Sequence, residues 1–303
     1  MPPHILLTID VEDWFQVENF KPWIDHSTWG SQQLRVEQNV HTLLDLFDSV
    51  NLENSTGHQS IRATFFVLGW IAERLPHLVK TIHERGHEVA SHGYHHHLCS
   101  NLSDEALRKD LTDSKTLLED LIGEQITGYR APSFAIDDRI LDVVKQCGYR
   151  YDSSYNSFDR HERYGRIDLS GKQNIGVACK LSETFYELPV SNFKVGNQIL
   201  PWGGGGYFRL IPLFLMKAGV RSILSRDKAF LFYTHPWEFD PEQPRVINAS
   251  GYKKFRHYVN LKNTYSKLRS FIDAFKHCQL ITLRDYLIEH ALTLENGEWN
   301  KTI

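Results

Sequence analysis

Short apolar runs of strand length alternate with stretches of helical periodicity along most of the chain. Ile5 to Ile9 is the first such run. Val36, Val40, Leu43, Leu44 and Phe47 then recur at helical spacing. Arg62 to Val67 reads as a second strand, and Ile71, Leu75, Leu78, Val79 and Ile82 form one helical face ended by Gly86. Glu88 to Ser91 is a third strand. Asp104 to Ile122 is a helix, with Ser103 as its N-cap and Asp104 and Glu105 in the first turn. Thr127 to Phe134 is a strand that ends in the turn Arg130-Ala-Pro132, and a helix around Ile140, Leu141 and Val144 runs to Gly148. Tyr149 to Ser154, Phe185 to Val190 and Ala229 to Thr234 are further strands. Leu261, Tyr265, Leu268, Ile272 and Phe275 mark a long helix. Leu280 to Leu283 is the last strand, with Thr282 to Asp285 resembling a capping box for a final helix. Residues 51–60 and 156–183 read as polar surface loops, and the tail after Leu294 as irregular.

This recurrence of strand and helix favours a parallel sheet wrapped by helices, open or closed into a barrel. In such folds the polar residues at strand C-termini collect on one rim, where sites are built. The acidic run Asp10-Val-Glu-Asp13, the histidines from His92 to His97, Arg130, Asp152 and His235 all fall at predicted strand ends.

Composition narrows the function classes. The chain has 303 residues with a formal charge of -3 and no basic block, so nothing points to nucleic acid. Cys99, Cys147, Cys179 and Cys278 lie far apart without a CxxC pair, which suits a reducing compartment. The first apolar run is too short for a signal peptide or a membrane span. The expectation is a soluble, cytoplasmic protein, acting if anything at the inner face of the membrane, and a single catalytic domain over residues 1–303 with a C-terminal helical extension from about 252 to 303.

His92 and His96 are four apart, so a tight loop or one helical turn can aim both rings at one point. Two neutral imidazoles there are the start of a divalent-metal site that needs a carboxylate from elsewhere. A solvated histidine-rich loop is the plain alternative, and His95 and His97 are read as solvated or supporting residues. Three carboxylates within Asp10 to Asp13 repel one another unless a cation or proton sits among them. The run Leu200-Pro-Trp202-Gly-Gly-Gly-Gly-Tyr207-Phe is a glycine-rich loop opening a helix near Pro212, without the Lys-Ser/Thr ending of a phosphate loop.

Taken together, Thr8-Ile-Asp-Val-Glu-Asp13, Arg62-Ala-Thr-Phe-Phe-Val, Gly86-His-Glu-Val-Ala-Ser-His-Gly-Tyr-His-His96, Tyr129-Arg-Ala-Pro132 and Thr234-His-Pro-Trp-Glu238 resemble the polysaccharide deacetylase superfamily (NodB-homology, carbohydrate esterase family 4). The likeness runs over roughly residues 4–290, and it is narrowest to the branch associated with exopolysaccharide and exosortase loci.

The resemblance implies an α/β fold, a distorted (β/α)7-type barrel of the NodB-homology kind, and a metal-dependent N-deacetylase acting on an N-acetylated polysaccharide or oligosaccharide. It also implies peripheral contact with exopolysaccharide assembly machinery. Carried onto this chain, it makes Asp10 the base and His92 and His96 ligands of one divalent ion: Zn2+ by preference, with Co2+, Ni2+ or Mn2+ as alternatives. Strand alternation puts Glu12 on the side of Asp10, whereas a turn after Val11 favours Asp13; the carboxylate ligand is taken as Asp13, with Glu12 as the alternative.

In the implied reaction His235 protonates the leaving amine, Arg130 pairs with Asp10, and Asp152 supports His235. Trp202, Tyr207 and Pro132 are expected at the sugar site. Tyr233 stands where the family usually carries Leu, which implies a more polar acetyl pocket. Two other functions share these residues: a glycan-binding member without turnover, and a C–N hydrolase of a small amide or ureide.

Overall fold

The computed structural model describes residues 2–50, 52–54, 57–158 and 164–291. Strand β1 (His4–Val11) leads to α1 (Val36–Asp48). The segment read as a loop at 51–60 contains a small antiparallel hairpin, β2 (Leu52–Asn54) and β3 (Gly57–Gln59). Next come β4 (Thr64–Val67), α2 (Gly69–Arg74), α3 (Pro76–Glu84) and β5 (Glu88–Ser91). The single helical face expected over 71–82 is therefore two helices. Pro76 has no amide hydrogen and holds Leu75 outside the helical region, so one helix stops and another starts.

The alternation continues through α4 (Asp104–Ile122), β6 (Gly128–Tyr129), α5 (Asp138–Gln146) and β7 (Tyr151–Asp152). Ser103 caps α4 as expected, accepting a hydrogen bond from the amide of Ala106. The polar excursion at 156–183 carries two strands, β8 (Gln173–Ile175) and β9 (Ala178–Ser182), which lead into β10 (Phe185–Glu187). A second hairpin, β11 (Asn192–Val195) with β12 (Gln198–Pro201), precedes α6 (Gly205–Leu210) and α7 (Leu213–Asp227).

The last elements are β13 (Ala229–Thr234), α8 (Gly251–Tyr258), α9 (Leu261–Ala274), β14 (Gln279–Leu280) and α10 (Leu283–Ala291). The region read as a helical extension thus adds a strand to the main sheet, because β14 pairs with β1. The tail after Leu294 lies outside the described residues.

The main sheet has ten strands in the order β13-β1-β4-β5-β6-β7-β10-β9-β8, with β14 also on β1. Every pairing from β13 to β10 is parallel. The sheet curls into a barrel, and two buried clusters mark its two faces. Leu6, Phe66, Ala90, Tyr151, Tyr186 and Leu231 pack together inside. Their chain neighbours Ile5, Leu7, Phe65, Val67, Val89 and Phe232 join the layer between the strands and the helices. This is the period of two that any strand imposes.

The barrel closes between the end of β10 and β13 by an irregular seam rather than a ladder. Ser191 N donates to Leu231 O at 3.3 Å, and Tyr233 N donates to Gly203 O at 2.8 Å. The glycine run makes this seam possible. A Cβ on Gly203 would stand 2.6 Å from Leu231 O and 2.7 Å from Ser191 O, both backbone atoms that cannot move aside. Alternation then fixes what reaches the upper rim. Thr8, Asp10 and Glu12 follow Leu6 on the inner side of β1, and His235 follows Tyr233 on that of β13.

Candidate active site

Glu12, His92 and His96 are buried and face one another at this rim. One potential ligand atom from each lies within 4.8 Å of the other two. His92 Nε2 is 3.9 Å from Glu12 Oε1, and His96 Nε2 is 3.5 Å from Glu12 Oε2. Glu12 Oε2, His92 Nε2 and His96 Nε2 are all shielded from solvent without a hydrogen-bond partner. Such orphaned polar atoms are costly one at a time, and three converging ones form a donor set that fits a divalent cation.

The backbone around them is shaped for this. His92 Nδ1 is 2.8 Å from Arg130 O, an atom that only accepts, so the proton sits on Nδ1 and the lone pair of Nε2 points at Glu12. His96 takes a left-handed φ of 55°. The loop between the two histidines is held by Asp110 of α4, which accepts from Tyr94 N at 2.8 Å and His95 N at 3.2 Å. His95 and His97 turn away from this cluster and pack on His26, with ring centroids 5.2 and 5.4 Å from it.

Two charged pairs flank the cluster. Arg130 Nη1 donates to Asp10 Oδ1 and to Thr8 Oγ1, both at 2.7 Å, and its Nε donates to Ser153 O. The guanidinium lies 4.2 Å above the Phe66 ring, so apolar side chains close the barrel beneath it. Asp10 is buried and ion-paired, which holds its carboxylate in place beside the cluster.

On the other side His235 Nε2 is 3.2 Å from Glu12 Oε1 and 3.9 Å from Asp10 Oδ2, and its Nδ1 bonds Glu238 Oε1 at 2.9 Å. Burial disfavours the imidazolium, but the Glu12 and Glu238 carboxylates outweigh it and lift the ring's pKa to about 10. The same histidines, His96 first, pull Glu12 well below its usual range against its burial. Glu238 is itself held at about 2, since Arg209 and His235 together overcome burial, and it keeps His235 partnered if a cation takes Glu12.

Several expected residues sit elsewhere. Asp13 is not in the cluster. The chain turns after β1, and the Asp13 carboxylate accepts from the amides of Trp14 (2.8 Å), Arg35 (2.7 Å) and Val36 (2.8 Å). It ties that turn to the start of α1, and burial raises its pKa to about 6 despite those bonds. Asp152 is not beside His235 either. It follows the inward-facing Tyr151 and so points to the outer side of the sheet, where it lies opposite Glu187 in register and bonds Ser154 Oγ at 2.8 Å. Burial raises both carboxyls of this pair, Glu187 further because of the Asp152 charge beside it. The residue that supports His235 is Glu238, which the sequence shows three positions on.

Trp202 does not wall the cavity: it packs on Gly219 and Phe193 and donates from Nε1 to Met216 O. Pro132 is buried at the head of a short turn and touches no part of the cavity, whereas the next two residues, Ser133 and Phe134, line it. Tyr207 stands behind the rim, with its ring 6.2 Å from that of Phe158. The cavity holds about 120 Å³ and opens over Asp10, Glu12, His96 and His235. Tyr233 and Trp237 also line it. Tyr233 Oη lies 3.2 Å from Tyr164 Oη, so the wall is polar where Leu was expected. Trp237 stacks on His235 with centroids 5.1 Å apart.

Residues 57–151 match the family model for polysaccharide deacetylase, and residues 153–284 match a model described as a domain of unknown function (DUF3473). Over the first of these stretches the chain is similar to the polysaccharide deacetylase family. A peptidoglycan-N-acetylglucosamine deacetylase of Bacillus cereus is 38% identical over 88 residues, covering 29% of this chain and 41% of that protein. The chain spans between 35% and 42% of the length of this and two other curated relatives named as peptidoglycan deacetylases or deacetylase-like.

Among solved structures, a candidate polysaccharide deacetylase from Mycobacterium smegmatis covers 98% of both chains with a TM-score of 0.59 and 18% identity. An allantoinase superposes with a TM-score of 0.58 and 13% identity over 97% of this chain and 91% of its own. Both share the barrel. The site itself crosses the matched regions: His92, His96 and Arg130 lie in the deacetylase match, His235 and Glu238 in the second, and Asp10 and Glu12 before either.

Proposed function

We propose that the protein is a metal-dependent hydrolase that removes N-acetyl groups from the sugars of an exopolysaccharide or its precursor. The observation that carries this reading is the trio of shielded, unpartnered atoms on Glu12, His92 and His96, set beside the Asp10–Arg130 and His235–Glu238 pairs. Glu12, His92 and His96 would hold one divalent ion, with zinc the best match to two imidazoles and a carboxylate. When bound, that ion polarises an amide carbonyl and acidifies water.

The chain's own residues supply the proton transfers. Asp10, fixed by its ion pair with Arg130, accepts a proton from the attacking water. His235, protonated and oriented by Glu238, gives a proton to the amine as it leaves, since an unprotonated amine is a poor leaving group. Phe134, Tyr233 and Trp237 bound the small cavity in which an acetyl group would sit.

The test is acetate release from N-acetylglucosamine oligomers, with metal content measured alongside. Activity lost on chelation, restored by zinc, and absent from His92→Ala is the expected result. Full metal occupancy in His92→Ala would remove that residue from the ligand set. The likeness to an allantoinase gives a second reading, a small-ureide hydrolase, and turnover of allantoin with none of the oligomers would favour it.

A further inference from the structure

One region of the molecule combines a run of cations with exposed apolar side chains. From Gln243 to Ile272 the sequence holds seven Lys or Arg residues and no Asp or Glu, in a chain whose net charge is -3. That segment and the α6–α7 corner carry exposed apolar side chains. Of the eleven large ones exposed among the described residues, six are Leu210, Phe214, Leu215, Ile247, Tyr252 and Phe255. Ile247 is 80% exposed, Phe214 70%, Tyr252 68% and Phe255 57%.

The ends of α6 and α8, which carry Leu210 and Tyr252 with Phe255, are tied together, and Lys267 of α9 donates to Ile211 O next to Phe214 and Leu215. Arg209 donates to His257 O at 2.8 Å, Val259 O at 2.7 Å and Arg256 O at 3.1 Å. Asn260 closes the same corner by donating to Arg209 O. In α8 the cations and the rings are interleaved: Lys253 lies over the Trp23 ring at 5.1 Å, and Arg256 over the Tyr252 ring at 5.7 Å. Lys254 donates to the carbonyl of Ile247 at 3.1 Å, which brings the most exposed aliphatic side chain beside a free charge.

We propose that this face docks the protein on an anionic lipid bilayer. Interleaved cations and rings suit the headgroup layer, where aromatic side chains settle and Lys and Arg meet lipid phosphates. Ile247 and Phe214 would reach the acyl boundary. In a chain of net charge -3, a segment with seven cations and no carboxylate would favour this orientation on such a surface. Arg256 belongs both to this face and to the cavity wall, so docking turns the cavity mouth to the bilayer. Resting on the function proposed above, this makes the substrate an N-acetylated glycan carried on a lipid.

The test uses the full chain and sedimentation with vesicles, of phosphatidylcholine alone or with about one-third phosphatidylglycerol. Binding to the anionic vesicles only, weakened by salt, is expected. The double variant Lys253→Glu/Lys254→Glu should bind at least about tenfold more weakly. Ile247→Ser with Phe214→Ser should also weaken binding, while acetate release from soluble oligomers stays unchanged in both.

Absence of binding, or equal binding to neutral vesicles, overturns the proposal. So does loss in the charge variant with none in the apolar one, which would assign the face to soluble polyanions. The vesicle measurement involves no turnover, so failure of the hydrolase reading leaves it standing, and activity on soluble oligomers would survive failure of the docking.

Discussion

Neutralising Glu12 and neutralising Asp13, neighbours in the chain, have different expected outcomes. Glu12→Gln removes the only anion from the cluster with His92 and His96, so zinc affinity should fall by about 100-fold or more in equilibrium dialysis. Asp13→Asn leaves the cluster intact but weakens three hydrogen bonds to backbone amides, so it should cost about 1–2 kcal/mol in urea unfolding while zinc binding persists. The sequence left this pair open because it does not mark where β1 ends. The alternation of β1 in fact continues through Glu12, and the turn begins one residue later. Asp152 misled for the same reason: a strand-end position is legible, but the side of the sheet is set by a two-residue strand whose register only its neighbours reveal.

His87 gives a separate prediction at this scale. Its buried ring accepts from Ala63 N, and burial drives its pKa down from 6.5 to about 4. Protonation therefore favours the unfolded chain. The contribution is fully present above about pH 6.5 and is lost as pH falls towards 4, on the order of 3 kcal/mol in all. In His87→Gln, whose side-chain oxygen can still accept from Ala63 N, urea midpoints should decline less steeply across that window. An unchanged slope would contradict the assignment.

At the scale of elements, the site depends on two supports that never touch a substrate. Asp110 on α4 holds the loop carrying His92 and His96, so Asp110→Ala should lower zinc affinity about 10–100-fold with the helix itself intact. Gly205 at the start of α6 leaves room for Glu238, and any Cβ there collides with the Glu238 carboxylate. Glu238 is anchored by Arg209 and Thr234 and has nowhere to retreat. Gly205→Ala should displace it from His235 and lower kcat by about 10²-fold or more with zinc occupancy unchanged. Both supports are hard to read in a sequence. The glycine run is conspicuous but suggests a loop, and its reason, close approach to β13 and to Glu238, is a contact between segments about 30 residues apart. The helices and caps were easier, since periodicity and Ser103 or Thr282 signal them locally.

At the scale of the whole molecule, the alternation of strands and helices was enough to put the candidate residues on one rim of a parallel sheet, open or closed, and the family resemblance added the barrel. It was not enough to show how the barrel closes, because the seam between Ser191, Gly203 and β13 is neither strand nor helix. The curl of the neighbouring strands β13, β1, β4 and β5 sets His235, which follows β13, across from the loop that follows β5, with Asp10 and Glu12 from the end of β1 between them.

The account turns on a single cation gathered by that rim. An anomalous-scattering map from crystals grown with zinc tests it most directly. One peak within bonding distance of Glu12, His92 and His96, with Asp10 and His235 on either side, is the result predicted. A peak at Asp13 or among His26, His95 and His97 instead, or none at the rim of a protein that releases acetate, would contradict it.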